Sequence, residues 1–163
     1  MDLYPPIDQI QSAINDDAAY YFTDAISVLN HWSPHAVEIW GRVFPTVEHA
    51  YHYRKFSETA PDLADQIAAA KSPSIAMRLA AKFKTSRRHD WDTVKVDIMT
   101  ELDRAKAEQH QDFRDVLFAT GDRELIESSP WDSFWGCGAD GKGQNIAGKI
   151  LMKIRDELSL DKS

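Results

Sequence analysis

Pro45-Thr46-Val47-Glu48-His49-Ala50-Tyr51 marks the point at which the periodicity of this chain turns helical. Pro45 blocks the preceding turn, Thr46 is a strong N-cap, and Val47 opens the first turn. The spacing predicts a helix over 47–57. Glu48 then lies in its first turn, near the positive end of the helix dipole, with Tyr51, His52 and Lys55 following on the same face. A Glu, a His and a Lys along one stripe are either an acid, base and nucleophile or a solvated face, and spacing alone does not choose. Glu48 and Lys55 fall roughly 10 Å apart along the axis, so their side chains can converge on one ligand without touching.

Upstream of this stretch, Tyr20 to Phe22 and Val37 to Ile39 lean towards β structure, and Gly41-Arg42 turns the chain between Ile39 and Phe44. Residues 1–17 read as an N-terminal extension with a short helix from Ile7 to Ile14. Downstream, Pro61 opens a helix with Leu63, Ile67 and Ala70 on one face, and Ser72-Pro73 caps another carrying Ile75, Leu79 and Phe83. Asp90 caps the longest helix, Trp91 to Gln109, with Val94, Ile98, Leu102 and Ala105 as its apolar stripe. A short helix from Asp112 stops at Gly121, a C′ glycine. Leu125 to Glu127 is a small strand, and Asn145 caps a last helix with Ile146, Ile150, Ile154 and Leu158 inward. The sum is a mainly α, compact single-domain fold over residues 18–160, with a minor β element near the N-terminal part.

The chain has 163 residues, ordinary for one domain with one core, and 43% of them are hydrophobic. A net charge of −7 excludes a general nucleic-acid binder working by phosphate neutralisation, though not a small basic pocket. Cys137 is the single cysteine, which excludes a disulfide framework and a thiolate metal site. No signal-peptide pattern and no membrane-length apolar run occur, so a cytoplasmic protein without membrane attachment is expected. His49 and His52, and His31 and His35, lack the context of a zincin, so neither metal nor cofactor is expected.

Three clusters remain. Gly136 to Gly141 matches GxGxxG by letter, but no β-branched strand precedes it and too little chain follows for a βαβ unit. The loop containing Gly136, Gly138, Asp140 and Gly141 feeds a helix start. It is either an anion cradle, helped by Lys142 and Lys149, or a tight turn that needs positive φ. Arg87-Arg88 precede a helix start, where Arg88 either grips a phosphate or is solvated. Trp131-Asp132-Ser133-Phe134-Trp135 sets a carboxylate between two aromatic planes. It is either a seat for a planar heterocycle or a lid over the last helix, the role expected of Trp131.

In this order these stretches resemble the NADAR family, the YbiA-like N-glycosidases, over Tyr20 to Leu158. The matching runs are Phe44 to Tyr51, Lys71-Ser72-Pro73, Arg88 to Asp92, Ala119 to Asp122, and Trp135 to Gly138 with Asp140 to Asn145, then Gly148 and Leu151-Met152. The resemblance implies a mostly helical domain that hydrolyses an N-glycosidic bond to ribose. The implied substrate is a phosphorylated ribosylamino-pyrimidine of riboflavin synthesis or ADP-ribosylated guanine, free or within nucleic acid. By the same matching, Glu48 is the catalytic carboxylate and Lys55 an amine able to attack the opened sugar. Trp91, Trp135, Gly136, Asp140 and Asn145 line the ligand. His52 and Arg54 stand where the family usually has Gln, and Asn30-His31-Trp32 where it has Ser-Asn-Phe, at positions of expected substrate contact. A non-catalytic module for ADP-ribose or a nucleotide, and a helical interaction protein, are the competing readings.

Overall fold

The computed structural model describes residues 15–21 and 27–161. The helix expected from Ile7 to Ile14 lies outside them. The chain clusters into two compact units, residues 31–110 and residues 1–30 with 111–163. As expected, it is mainly helical with short strands. Among the described residues no helix is long and apolar enough to cross a membrane.

The 31–110 unit begins with a hairpin of β2 (Val37–Ile39) and β3 (Arg42–Phe44), which pair antiparallel with Val37 opposite Phe44. Its two-residue loop is Trp40-Gly41, with φ of 54° and 74°. Positive φ at both positions is the I′ turn that matches strand twist, and it places the turn one residue before the predicted Gly41-Arg42. Helix α1 (Val47–Arg54) follows. The Thr46 hydroxyl accepts from the backbone N–H of His49 at 3.2 Å, as an N-cap should. The helix is shorter than predicted because its last turn tightens. Lys55 N donates to His52 O and Phe56 N to Tyr53 O, three residues back rather than four.

Helices α2 (Pro61–Ala68) and α3 (Pro73–Lys82) pack their small and branched faces around Phe56, Ile67 and Ala76. Ser72 caps α3 by accepting from Ile75 N at 3.2 Å. Helix α4 (Trp91–Gln109) buries Trp91, Ile98, Leu102 and Ala105, with Val94 only half-buried. Asp90 was expected to cap it. Its carboxylate instead takes both Arg88 nitrogens, at 2.6 and 2.9 Å, and makes no cap bond.

In the other unit, β1 (Ala18–Tyr21) pairs in parallel with β4 (Glu124–Glu127), Ala18 opposite Glu124 and Tyr21 opposite Glu127. Helix α5 (Gln111–Ala119) buries Phe113 and Leu117 and ends before Gly121, whose φ of 61° suits a C′ glycine. Helix α6 (Ile146–Asp161) buries Ala147, Ile150, Leu151 and Ile154. Its start lies so close to β4 that a Cβ at Gly148 would overlap the Leu125 carbonyl. Buried Arg155 holds the far end of α6 to the 120–123 turn through Thr120 Oγ1 at 2.9 Å and Arg123 O at 2.8 Å.

Candidate active site

The first turn of α1 carries the site. Pro45 and the Thr46 cap fix where the helix begins, and the backbone N–H of Glu48, without an intrahelical acceptor, donates to His31 O at 3.1 Å. His49 sits beneath. Its Nε2–H donates to Ala70 O at 2.9 Å, and its Nδ1 meets the Thr46 hydroxyl at 2.8 Å, so the cap and the neighbouring loop are tied together. Glu48 and His52 are one turn apart, and Glu48 Oε1 lies 2.7 Å from His52 Nε2. Their side chains are 13% and 6% exposed, so a carboxylate is held at the edge of the core with only a small opening to solvent.

Burial pushes the Glu48 carboxyl up. The hydrogen bond from His52, with the Lys55 ammonium nearby, outweighs this and holds it below the usual carboxylate range. Glu48 is therefore an anion at neutral pH. His52 moves the other way from most histidines beside a carboxylate: burial, helped by Lys55 and His49, lowers it despite Glu48. The imidazole is neutral and donates Nε2–H to the carboxylate.

Lys55 follows the last residue of α1. Its Nζ lies 4.9 Å from the Tyr51 ring centroid and 5.4 Å from that of Trp91, in the corner these two edge-to-face rings form. It makes no ion pair among the described residues. Desolvation, reinforced by the charges of Arg87, Lys95 and Lys84, lowers this amine from 10.5 to about 8. Trp91, expected to line the ligand, is 2% exposed and serves as the wall beneath Lys55. Arg88, expected to grip phosphate, is clamped bidentately by Asp90 and lies 3.7 Å from Glu58. His52, expected to touch substrate, bonds Glu48 through Nε2. Arg54 pairs with Glu58 at 3.5 Å and stacks 5.1 Å from the Trp40 ring.

Glu48, His52, Lys55, Arg88 and Trp91 thus belong to the 31–110 unit. Asp132, Trp135, Gly136, Gly138, Asp140, Gly141 and Asn145 belong to the other. There the loop turns its amides inward. Cys137 N donates to Glu127 O, Gly138 N to Ser129 and Asp132 carbonyls, Gly141 N to Gly138 O, and Gly143 N to Cys137 O. Gly138 and Gly141 hold the positive φ, 68° and 73°, of the tight-turn reading, and the amides of Cys137, Gly138, Gly141 and Gly143 are bonded within the loop and to its neighbours. Asp132 Oδ1 accepts from Phe134 N and Trp135 N, and Asp140 Oδ1 from Lys142 N, so both carboxylates shape turns. Trp135 is half-buried, edge-on to Phe134 at 4.9 Å. Asn145 is not the cap predicted for α6. At φ 52° its amide bridges β4, accepting from Glu127 N at 2.9 Å and donating to Leu125 O at 2.8 Å. Trp131 is 78% exposed and is no lid.

A profile of the NADAR domain matches residues 14–159. The chain belongs to the NADAR family. An N-glycosidase of Nostoc punctiforme is 44% identical over 131 residues, 79% of this chain and 83% of that protein. A riboflavin biosynthesis protein of Vibrio vulnificus is 34% identical over 151 residues, 91% of this chain but 41% of that longer protein. The NMR structure of the Escherichia coli protein YbiA superposes with a TM-score of 0.82 at 30% identity, covering 94% of this chain and 92% of that one.

This NADAR chain also holds a layer behind Glu48 that the motifs did not point to. His31 Nε2 lies 3.1 Å from the Asp103 carboxylate, which is fully buried on α4. Lys106, also buried, donates to Ser33 Oγ at 2.7 Å. The signal was present in the spacing: Met99, Asp103 and Lys106 recur at i, i+4 and i+7, putting two charges on a buried NADAR helix face.

Proposed function

We propose that this N-glycosidase cleaves the bond between C1 of a phosphorylated ribose and a base nitrogen, with Glu48 as the working carboxylate. The observation that carries the reading is a carboxylate kept anionic at the core edge by His52, beside a lysine with a lowered proton affinity. As the C1–N bond breaks, its electron pair leaves with the base and positive charge builds on the sugar. A fixed anion opposes that charge. Glu48 then takes a proton from the water that bonds to C1, and the departing nitrogen is protonated. Free sugar and free base result.

A specific observation favours a second route through Lys55. An amine with a value of about 8 is neutral in roughly a tenth of molecules at pH 7. Neutral Nζ can bond to C1 as the base leaves with the C1–N electron pair and takes up the proton that Nζ sheds, and ring opening then converts the glycosylamine to an imine. Water adds to that imine, releasing the sugar and regenerating the lysine. The cations Arg87, Lys95 and Lys84 bear on Lys55, which supports a substrate phosphate on that side.

The reading covers a phosphorylated ribosylamino-pyrimidine and ADP-ribosylated guanine. The name of the Vibrio vulnificus relative favours the former, and the density of cations around Lys55 favours the doubly phosphorylated latter. Product analysis with both compounds separates them: the proposal expects free base from at least one. Borohydride added during turnover traps the sugar on Lys55 if the imine forms. Binding without release of base from either would support a non-catalytic module and overturn the proposal.

A further inference from the structure

We propose that His52 is a positioning residue that holds Glu48 through Nε2–H and aims the other carboxylate oxygen at substrate, and is not itself a substrate contact. The inference rests on the N-glycosidase reading above. Oε1 of Glu48 is taken by His52 at 2.7 Å, and Oε2 has no protein partner among the described residues. His52 offers a ligand nothing. One ring nitrogen is bonded to Glu48. The other, Nδ1, is enclosed and has no hydrogen-bond partner among the described residues. The ring packs edge-on to Tyr51 at 5.1 Å.

That enclosed Nδ1 explains the protonation state. A second proton there would create a charged N–H with neither water nor acceptor, a severe penalty in the interior. The charged and titratable groups around the pair are Lys55 and His49 on the α1 side, and His31 with Asp103 behind Glu48. Lys55 and His49 oppose a proton on His52, while Glu48 favours one. Desolvation is the largest influence, and the neutral Nε2–H form results. A neutral donor suits the task. It orients the carboxylate without cancelling the charge that must face the sugar, which an imidazolium would do.

The test compares His52→Leu, His52→Gln and Glu48→Gln, with initial rates from about pH 3.5 to 8, which spans the acid limb. The probes are the phosphorylated ribosylamino-pyrimidine and ADP-ribosylated guanosine. Leu fills the buried volume without a donor, and Gln restores one. Expected for His52→Leu is a kcat at least ~10-fold lower with KM within about threefold, since an interaction aimed at the transition state is lost. Its acid limb also moves to higher pH, because Glu48 has lost the bond that lowers it. His52→Gln recovers most of the lost kcat.

A raised KM with kcat held in His52→Leu would make His52 a substrate contact and overturn the proposal. So would equal damage in the Leu and Gln variants. Nitrogen-15 NMR of the wild-type imidazoles needs neither turnover nor a stable variant. It should show His52 as the neutral Nε2–H tautomer at pH 7, and an imidazolium there refutes the inference. Glu48→Gln separates the two levels: full activity in it overturns the carboxylate assignment itself. An inactive Glu48→Gln beside a wild-type-like His52→Leu overturns the positioning role alone.

Discussion

Replacing Lys55 with Met keeps an unbranched stem against the Tyr51 and Trp91 rings and removes only the charge. Burial lowers this amine from its ordinary 10.5 to about 8 in the folded chain. That drop corresponds to about 3 kcal/mol by which folding disfavours the charged amine. The sign follows from the order of the two values. Because the folded value is the lower, the unfolded chain binds the extra proton between about pH 8 and 10.5. This group therefore makes wild-type stability rise with pH across that window, and its penalty is fully present below it. The Met variant carries no such penalty. At pH 7 it should be more stable than wild type by about 1–3 kcal/mol, the range allowing for attraction to the rings that is lost with the charge. Urea denaturation of both proteins at about pH 7 and pH 10 measures the difference, and subtraction cancels the other lysines. The advantage should shrink by about 2–3 kcal/mol between the two conditions. An advantage that stays constant with pH refutes the desolvation argument. The same substitution removes the amine, so turnover should collapse as stability improves, and a fully active Met variant would take Lys55 out of the mechanism.

Glu48→Gln keeps an acceptor for His52 but removes a charge about 4 Å from the developing cation. At an effective dielectric near 20 that charge is worth about 4 kcal/mol, so turnover should fall by at least ~10²-fold in a folded protein. The Gln variant should also lose part of the wild type's acid sensitivity. Glu48 titrates below its ordinary 4.5 when folded, so the stability it contributes is present above 4.5 and lost as pH falls through the lower folded value; potentiometric and denaturation curves of the two proteins should diverge there. Thr46→Ala removes the α1 cap and the partner of His49 Nδ1, and should lower stability by roughly 1–2 kcal/mol in urea unfolding, against a negligible effect if the cap is incidental. Gly148→Ala should destabilise by about 1–3 kcal/mol or more, because the new methyl overlaps the Leu125 carbonyl; an unchanged melting temperature would show that α6 stands farther from β4.

Most helices were legible because their signals are local. Thr46 and Ser72 cap as read, and the Trp91–Gln109 helix has the predicted bounds. What escaped the sequence was decided by partners far along the chain. Asp90 and Asn145 are both good cap residues by type. Arg88 captures the first, and the two open backbone groups of β4 capture the second. The parallel pairing of β1 with β4 has no local signature, because register between distant segments is set by packing and not by any turn. The stripe carrying Glu48, His52 and Lys55 was visible as helical spacing. That His52 serves Glu48 follows only from its burial, since a histidine one turn from a carboxylate looks the same on a solvated helix.

The parallel ladder between Ala18–Tyr21 and Glu124–Glu127 bears on how the protein is made. A ribosome delivers β1 early and β4 late, with all of residues 31–110 emerging between them. The unit that carries Glu48 and Lys55 has its whole sequence available before β4 exists, including both ends of its long-range pairs such as His31 with Asp103 and Glu38 with Gln109. Strand β1 spends that interval with an unpaired edge, the kind of surface on which nascent chains associate. Slowing elongation after residue 110 should lengthen that exposure, and the burden should fall on β1 rather than on the residues of the candidate active site.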